Sequence, residues 1–223
     1  MSEEHIVRIT NIESVTHDVR RYQVEKPQGY TFKPGQATEV AINKEGWKEE
    51  RRPFTFTSLN TDPYLEFTIK SYNDHPGVTN ELGKLKVGDE LIIHDVWGAI
   101  EYKGPGYFIA GGAGITPFIA ILRQLHKDGK LGENKLFFSN KTSNDIIIRD
   151  ELARMLGKNV LYIITHEKNS SYLTAYIDEQ FLKQYVSDFS KKFYICGPPA
   201  MIEVLTATLA KLGADTDSVV FEK

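Results

Sequence analysis

The sequence holds very little cysteine and no long apolar run, and both shortages exclude classes of protein. Among its 223 residues there is one cysteine, Cys196, so neither an intrachain disulfide nor an iron–sulfur cluster bound by four cysteines of this chain is possible. No apolar stretch approaches the roughly 18 residues that predict a membrane-spanning helix. The acidic opening, MSEEHIVRIT, lacks the apolar stretch of a signal peptide. We therefore expect a reduced, cytoplasmic protein that does not associate with a membrane.

A strong charge of either sign is also missing. The formal net charge is −3, whereas a nucleic-acid-binding domain is usually basic. The six histidines are scattered without a spacing typical of metal ligands. Apolar residues make up 41% of the chain, which is enough for a packed core. These features argue against nucleic acid as a partner, predict that no metal is bound, and allow one large domain or two small ones.

Two patterns of apolar residues divide the chain. In the first hundred residues, alternating runs such as QATEVAI and LEFTIKSY are separated by turn-forming clusters, which indicates a small barrel or sandwich. The stretch NELGKL predicts one short helix. From YKGPG onward, apolar runs alternate with helical periodicity, which predicts a parallel sheet with right-handed crossovers. We place the domain boundary there and predict domains 1–103 and 104–223.

The stretch RRPFTFTS, residues 51–58, sets two arginines and a proline before alternating phenylalanines and threonines. The alternation predicts a half-buried strand with phenylalanines on one face and threonines on the other. Folding alone gives no clear reason for a cation at the start of such a strand. Arg52 is therefore a candidate contact for a ligand.

Two glycine turns follow predicted parallel strands. In GYFIAGGAGITPF, the strand leads through residues 111–114 to a helix with Thr116 as its N-cap and Pro117 in its first turn. Such a helix start can bind a diphosphate, although the spacing is not the Rossmann fingerprint and a purely steric need for glycine is the alternative. In FYICGPPAMIEVL, the strand ends at Cys196, and Gly197 turns the chain into a helix. Both turns lie at the carboxyl ends of strands, where open α/β sheets bind ligands.

Four segments in this order resemble the motifs of the ferredoxin–NADP reductase superfamily: RPFT (52–55), HPGVT (75–79), GGAGITP (111–117) and CGPPAM (196–201). Together they span nearly the whole chain. The resemblance implies an N-terminal antiparallel Greek-key β-barrel that binds flavin and a C-terminal α/β domain with a parallel sheet that binds NAD(P). It implies a stand-alone FAD-dependent NAD(P)H oxidoreductase, similar to the cytochrome b5 reductase and flavodoxin or ferredoxin reductase type.

On the flavin side, the resemblance implies tightly bound FAD. Arg52 would neutralise the flavin diphosphate as a planar donor, and Thr55 would face the N5 and O4 side of the flavin ring. Phe54 stands where the family usually has tyrosine, so a stacking surface is kept and a hydroxyl is lost. An ordinary exposed strand face is the alternative for two of the remaining contacts, Lys70 and Tyr72. The full set of these further contacts is Pro53, Thr68, Lys70, Tyr72, Gly77, Val78 and Thr79.

On the nicotinamide side, the resemblance implies that Thr116 lies near both rings. Phe221 would cover the flavin face on which nicotinamide must stack, and Glu222 would help set proton exchange of the flavin, with a solvated tail carboxylate as the alternative. The predicted catalytic residues are Thr55, Cys196, Phe221 and Glu222. Cys196 would border the nicotinamide ring and is not predicted to be a nucleophile; a small apolar filler is the alternative. Further predicted nicotinamide contacts are Gly112, Pro117, Asn140, Gly197, Pro198 and Met201.

The choice between NADH and NADPH depends on charges beside the adenosine end. In NADH-preferring relatives an acidic residue stands at about Glu167, where a carboxylate would bond the ribose hydroxyls and repel a 2′-phosphate. Lys141 and Lys168 could instead pair with that phosphate. The sequence favours NADH and leaves NADPH open.

The resemblance further implies that NAD(P)H reduces FAD and that single electrons then pass to an acceptor. With one cysteine and no extra length, the chain is expected to lack an iron–sulfur or haem module. We therefore expect a monomer that serves an external carrier such as a ferredoxin, a flavodoxin or a haem protein. Two alternatives stay open. One is a reductase of free flavin, which HPGVT argues against; the other is an electron-transfer subunit without activity of its own.

Overall fold

The alternating runs of the first hundred residues form a six-stranded antiparallel sheet that curls into a barrel. The computed structural model describes residues 3–72, 76–98, 100–167 and 171–215, together with the backbone of 219–221. The strands are β1 (His5–Ser14), β2 (Val19–Glu25), β3 (Gln36–Ile42), β4 (Arg52–Thr55), β5 (Tyr64–Lys70) and β6 (Glu90–Gly98). Their order is β4-β3-β6-β1-β2-β5, with antiparallel neighbours. A bridge between Phe56 and Phe67 joins the two edges, so the barrel closes.

The barrel core shows why these runs alternate. Phe56 and Phe67 are fully buried, with ring centroids 5.2 Å apart, and each buried ring contributes about 1.5–3 kcal/mol. The buried Tyr22 donates its hydroxyl to the carbonyl of Leu82, which anchors the short helix α1 (Val78–Leu82) on the barrel. The short helix predicted from NELGKL is confirmed, and it begins two residues earlier than that stretch.

The second half forms a parallel sheet flanked by helices, as predicted. Its order is β10-β9-β8-β7-β11-β12, and all neighbours are parallel. The strands are β7 (Gly106–Gly111), β8 (Lys135–Asn140), β9 (Val160–Ile164), β10 (Leu173–Thr174), β11 (Lys192–Cys196) and β12 (Val219–Phe221). The helices are α2 (Thr116–Lys127), α3 (Arg149–Leu156), α4 (Glu179–Tyr185) and α5 (Pro199–Lys211). The two-residue strand β10 was not predicted. Within the described residues, every helix is too short or too polar to cross a bilayer.

The connection between the sheets is anchored to the second one. Tyr194 donates its hydroxyl to the carbonyl of Gly104 at 2.7 Å and accepts the amide of Lys103 at 2.9 Å. Tyr102 stacks on the same ring at 5.7 Å between centroids. The stretch that the sequence indicates as a boundary is therefore fastened to β11.

Burial around β4 corrects one prediction. Thr55, Phe56 and Thr57 are all buried, whereas Phe54 is partly exposed. The hydroxyl of Thr57 donates to the carboxylate of the buried Glu66 at 2.9 Å. The prediction of a half-buried strand was wrong at this end of β4, where both faces are buried: Thr57 is held by Glu66 of β5, and its carbonyl accepts a hydrogen bond from Arg123 of the second domain.

Candidate active site

A cleft of about 700 Å³ lies at the carboxyl ends of the parallel strands and extends to the barrel. From the barrel it is lined by Asp18, Val19, Lys70 and Tyr72; from the second domain, by both glycine turns and the end of β8. The predicted contacts on its lining are Lys70, Tyr72, Gly112, Thr116, Asn140, Lys141, Cys196, Gly197, Pro198 and Met201. Other predicted contacts lie off this lining, namely Arg52, Pro53, Phe54, Thr55, Thr68, Gly77, Val78, Thr79, Pro117 and Glu167.

Glycine is required in the turn after β7 for two different reasons. A Cβ at Gly114 would lie 2.3 Å from the carbonyl oxygen of Cys196, and one at Gly111 would lie 2.6 Å from the sulfur of Met201. Gly112 has a φ of +53°, which L residues rarely adopt, and a Cβ there would meet no described atom within 4 Å. Gly111 and Gly114 therefore permit close packing, while Gly112 borders the open space of the cleft.

Helix α2 begins differently from the prediction. Residues Gly112–Ile115 form a 3₁₀ turn that runs directly into α2, and Ile115 is the N-cap residue with helical backbone angles. Thr116 is the first α-helical residue, and its hydroxyl donates to the carbonyl of Ala113 at 3.0 Å. The prediction of Thr116 as N-cap was wrong because the glycine turn already follows a helical path. Pro117 is buried behind it.

The second glycine turn packs directly on the first. Cys196 ends β11 and is only 5% exposed, and α5 begins at Pro199, as predicted. A Cβ at Gly197 would lie 3.1 Å from the sulfur of Met201 and 3.2 Å from the Cα of Gly111. The two turns therefore form one continuous wall of the cleft.

The end of β8 brings an unsatisfied polar atom to the cleft. Asn140 is 4% exposed, and its Oδ1 has no hydrogen-bond partner among the described residues. Leaving such an acceptor unpaired costs about 1–3 kcal/mol. A hydroxyl or amide donor on a ligand would remove that cost. This buried acceptor, with the open side of Gly112, fits a nicotinamide nucleotide in the cleft.

Glu167 belongs to a polar loop beside the cleft. Its carboxylate accepts the backbone N–H of Ser143 at 2.6 Å and the hydroxyl of the same residue at 3.1 Å. A capping box between Thr142 and Asp145 stabilises that loop. The carboxylate of Glu167 is therefore held in place by Ser143. Lys168, which would oppose it, lies outside the described residues.

On the flavin side, Arg52 presents its guanidinium to solvent. Its side chain is 51% exposed, donates to the carbonyl of Arg51 and lies 3.8 Å from the carboxylate of Glu50. Such an exposed pair contributes at most about 1 kcal/mol, so another anion could replace the carboxylate at little cost. Pro53 is exposed and Phe54 is partly exposed beside it.

Lys70 reaches the cleft already paired with a carboxylate. Its ammonium lies 2.9 Å from Asp18. Burial would lower the pKa of Lys70, but Asp18 raises it above its ordinary value; burial would likewise raise the pKa of Asp18, but Lys70 lowers it. Both groups are therefore charged at neutral pH. Tyr72 is 49% exposed, and the buried Thr68 lies 3.2 Å from the hydroxyl of Thr57.

The predicted diphosphate turn is open on one side. Gly77 is the N-cap of α1, no side chain among the described residues caps this helix, and a Cβ at Gly77 would meet no described atom within 4 Å. Val78 is buried and Thr79 is partly exposed. An uncapped turn of this kind and the exposed guanidinium of Arg52 offer donors whose chemistry fits a flavin diphosphate.

The last strand brings its backbone to the same edge of the sheet. Phe221 pairs in register with Ile195, the residue before Cys196. The side chain of Phe221 and all of Glu222 lie outside the described residues. Their catalytic roles stay predictions.

Sequence reasoning missed two polar residues, Asp18 and Arg123. Asp18 pairs with Lys70 in the cleft, and Arg123 donates to the carbonyl of Thr57 across the domain boundary at 2.6 Å. Both contacts join residues far apart in the chain, and no motif marks either residue. The only signal was an arginine directly after the apolar run PFIAIL of α2.

One acidic cluster beside the cleft bears on the metal prediction. The exposed His17 lies 3.6 Å from Asp18 and 3.8 Å from Asp145. Ligand atoms of these three residues are close enough together to share an ion. Exposed acidic groups often cluster in this way without a metal, so the expectation that none is bound stays a prediction.

Two domain families match the chain. The oxidoreductase FAD-binding domain matches residues 6–102, and the oxidoreductase NAD-binding domain matches residues 108–206. The first range covers the barrel strands, and the second covers the parallel sheet up to α5. Together they account for most of the chain.

Characterised relatives match nearly the whole chain but are longer. The reductase component of propane 2-monooxygenase from Rhodococcus jostii is 27% identical, over 97% of this chain and 62% of that protein. NADH-cytochrome b5 reductase 2 from Mycosarcoma maydis is 26% identical, over 98% and 73%. The ferredoxin–NAD(P)(+) reductase component of a naphthalene 1,2-dioxygenase system from Pseudomonas putida is 24% identical, over 95% and 66%. The chain thus spans only part of each relative.

Solved structures share the whole two-domain fold. The FAD/NAD-binding domain of nitric oxide dioxygenase from Vibrio cholerae superposes with a TM-score of 0.86 at 20% identity, covering 97% of both chains. A ferredoxin NADP+ reductase from Neisseria gonorrhoeae with bound FAD and NADP has a TM-score of 0.82 at 21% identity, covering 96% of this chain and 93% of that one. At these identities the likeness establishes the fold.

Proposed function

Because the chain belongs to the ferredoxin–NADP reductase superfamily, we propose that it passes electrons from NAD(P)H through FAD, one at a time, to a separate redox protein. FAD is its cofactor and NAD(P)H its substrate. The observation that carries the proposal is the cleft, into which Lys70 and Tyr72 of the barrel and both glycine turns open. A site shared between the domains suits a reaction between one ligand of each.

On the barrel, five groups would hold FAD. Arg52 and the turn at Gly77 would bind the diphosphate, because one is an exposed cation and the other has no side-chain cap from the part of the chain that the structure describes. Thr55 would contact the reactive edge of the flavin ring, and Phe54 would offer a stacking surface. Tyr72, half exposed at the cleft, would border the rest of the cofactor.

When bound, FAD accepts a hydride from the nicotinamide and releases its electrons separately. The chain's own residues supply position. The open turn at Gly112 and the unpaired Oδ1 of Asn140 would hold the nucleotide, and Cys196 would border the nicotinamide from the buried end of β11. Phe221 would cover the flavin face until the nicotinamide arrives, and Glu222 would help set proton exchange of the flavin.

The acceptor would be a ferredoxin, a flavodoxin or a haem protein. Two relatives are named as reductase components of multi-component oxygenase systems, and a third as a cytochrome b5 reductase. In such systems the electrons leave the reductase for another protein.

Two finer points belong to the same proposal. The flavin domain would comprise residues 1–103 and the nucleotide domain residues 104–223, in keeping with matched ranges that end at 102 and begin at 108. NADH would be preferred over NADPH, because the carboxylate of Glu167 is held at the loop beside Lys141 and would repel a 2′-phosphate.

The purified protein tests the proposal directly. We expect a yellow protein that retains about one FAD per chain and reduces ferricyanide with NADH faster than with NADPH. A colourless protein whose activity depends on added flavin would instead indicate a reductase of free flavin. FAD-loaded protein that neither nicotinamide reduces would contradict the proposal and favour an electron-transfer subunit without activity of its own.

A further inference from the structure

A largely buried arginine joins the two domains. Arg123 lies on α2, and its side chain is 17% exposed. Its Nη1 donates to the carbonyl oxygen of Thr57 at 2.6 Å and to the carboxylate of Glu66 at 2.7 Å. Thr57 and Glu66 belong to the barrel, so both hydrogen bonds cross the domain boundary.

The rest of the guanidinium is held within the second domain. Nε and Nη2 donate to the two carboxylate oxygens of Glu151 on α3, at 2.6 and 3.0 Å. This bidentate contact depends on the planar guanidinium of arginine, which lysine lacks. Burial would lower the pKa of Arg123, but Glu151 and Glu66 raise it above its ordinary value, so the group stays charged. Arg123 therefore links one carboxylate of each domain.

The barrel end of this network adjoins a predicted flavin contact. Thr57 follows Thr55 by two residues, and its amide donates to the carbonyl of Glu66 at 2.8 Å. Its hydroxyl donates to the carboxylate of Glu66 at 2.9 Å. These bonds join the two edges of the barrel where it closes. A shift of Arg123 would therefore shift the segment that carries Thr55.

The other end of α2 lies at the wall of the cleft that the two glycine turns form, which we call the nicotinamide wall. Thr116 lines the cleft as the first residue of α2, and Arg123 follows seven residues later. Seven residues make almost two turns, about 10 Å along the axis, so the two side chains leave nearly the same face of the helix. One helix thus connects the cleft to the barrel contact.

We propose that Arg123 is a positioning residue, which sets the nicotinamide turn at the start of α2 relative to Thr55 of the barrel and thereby the spacing of the two reacting rings. The inference rests on the proposed function, because it requires each domain to bind one ring. Arg123 is not part of the cleft lining, so it acts through Thr57 and α2. A misplacement of about 1 Å far from the chemistry can cost about 100-fold in rate.

Reduction of the FAD-loaded protein by NADH, followed by stopped flow and normalised to bound FAD, measures this role. Arg123→Lys keeps the positive charge but loses the bidentate contact with Glu151. We expect its limiting reduction rate to fall about 10- to 100-fold, with the apparent Kd for NADH within about twofold of wild type. The long-wavelength absorbance that reports stacking of the two rings should weaken in parallel.

Lys127→Met is the matched control. Lys127 lies one turn beyond Arg123 on α2 and donates to the hydroxyl of Thr61 on the barrel in an exposed contact. It therefore also crosses between the domains, but without burial. We expect its reduction rate to equal that of wild type.

Two carboxylate variants separate positioning from folding. Glu66 meets Arg123 across the domain boundary, whereas Glu151 lies in the same domain, so Glu66→Gln should slow reduction more than Glu151→Gln. Amide hydrogen exchange of residues 56–58 should also accelerate in Arg123→Lys, which is a readout that needs no turnover.

Three results would overturn the role. The first is an Arg123→Lys reduction rate within about twofold of wild type, and the second is an equal loss in Lys127→Met. The third is a loss of reduction rate in Glu66→Gln and Glu151→Gln that is proportional to each variant's loss of thermal stability. That result would mean that Arg123 has only a structural role. In each case the wild-type protein is still reduced by a nicotinamide, whereas failure of the proposed function would appear as FAD-loaded wild type that neither nicotinamide reduces.

Discussion

The two domains contribute to the predicted site in different ways: one through the nicotinamide wall of the cleft, the other through a flavin wall made of the predicted FAD contacts of the barrel, of which only Lys70 and Tyr72 line the cleft. On the nicotinamide wall, backbone atoms define the shape: the turns pack so closely that a Cβ at Gly114 would lie 2.3 Å from the carbonyl oxygen of Cys196. On the flavin wall, the two charged candidate contacts each already have a partner. Arg52 lies near Glu50, and Lys70 pairs with Asp18.

The comparison separates shape from charge as the basis of a binding site. A close-packed turn has its final shape before any ligand arrives, whereas a paired cation must exchange one anion for another. The exchange costs little at Arg52, whose pair is exposed, and more at Lys70, whose pair is largely buried. Arg52 is therefore better suited than Lys70 to hold a phosphate.

The largest expected effect comes from adding one methyl group to the nicotinamide wall. Gly114→Ala places a Cβ against backbone atoms that cannot move independently, so we expect the free energy of unfolding to fall by about 3 kcal/mol. Urea unfolding of the FAD-free proteins measures it. Gly77→Ala is the matched change on the flavin wall, where a Cβ meets no described atom within 4 Å, and should alter stability by less than about 0.5 kcal/mol.

The same pair of variants should differ in the opposite sense in FAD binding. Gly77→Ala would obstruct a diphosphate that approaches the backbone, and we expect its Kd for FAD to rise about tenfold. Equal stability losses in the two variants would contradict the contrast between a packed wall and an open one.

The second prediction concerns charge on the flavin wall. Arg52→Ala removes hydrogen bonds to a charged group, worth about 1.5–3 kcal/mol, so the Kd of FAD should rise roughly 10- to 100-fold. Circular dichroism should show an unchanged fold, because Arg52 is half exposed. Arg51→Ala is the control: the neighbouring arginine pairs with Glu4 at 2.9 Å and has no predicted ligand. Full retention of FAD by Arg52→Ala through gel filtration would refute the assigned role.

Features that depend on near neighbours in the chain were predictable from the sequence. Alternating runs such as QATEVAI match β3, and the apolar run ending in glycine before TPFIAILR matches β7 and its turn. Strand propensity, glycine and proline act within a few residues. The order of strands and helices, and the edge at which the cleft lies, followed from these local signals.

Features that depend on distant contacts were not predictable in this way. The strand at RRPFTFTS was predicted to be half buried because alternation cannot show that Thr57 is covered by Glu66 of β5 and by Arg123 of the second domain. The partners of Lys70 and of the arginine on α2 lie on other strands and helices. Side-chain charge in the sequence therefore predicts the chemistry of a wall, while only the fold shows which charges are already paired.

A third prediction addresses the connection between the two sheets, which Tyr194 anchors to β11. Burial raises the pKa of Tyr194 to about 12. Since the folded pKa exceeds the ordinary value of 10.0, the stabilisation is complete below pH 10 and is lost as pH rises towards 12. Solvent screening keeps the slope below the limit of about 1.4 kcal/mol per pH unit. Between pH 9 and pH 12, the free energy of unfolding should fall less steeply for Tyr194→Phe than for wild type. For the exposed Tyr176→Phe, the fall should equal that of wild type.

The smallest expected effect concerns the charge of Glu167, at the edge of the nicotinamide wall. Glu167→Gln removes the negative charge but keeps an acceptor for Ser143, so the loop should stay folded. Repulsion of a 2′-phosphate beside a partly exposed carboxylate is worth about 1 kcal/mol, and we expect the NADH-to-NADPH ratio of kcat/KM to fall about fivefold. Glu133→Gln, which changes an exposed carboxylate before β8 at the opposite end of the sheet, should leave the ratio unchanged. An unaltered ratio in Glu167→Gln would mean that backbone shape alone selects the nucleotide. Charge would then contribute to binding on the flavin wall but not on the nicotinamide wall.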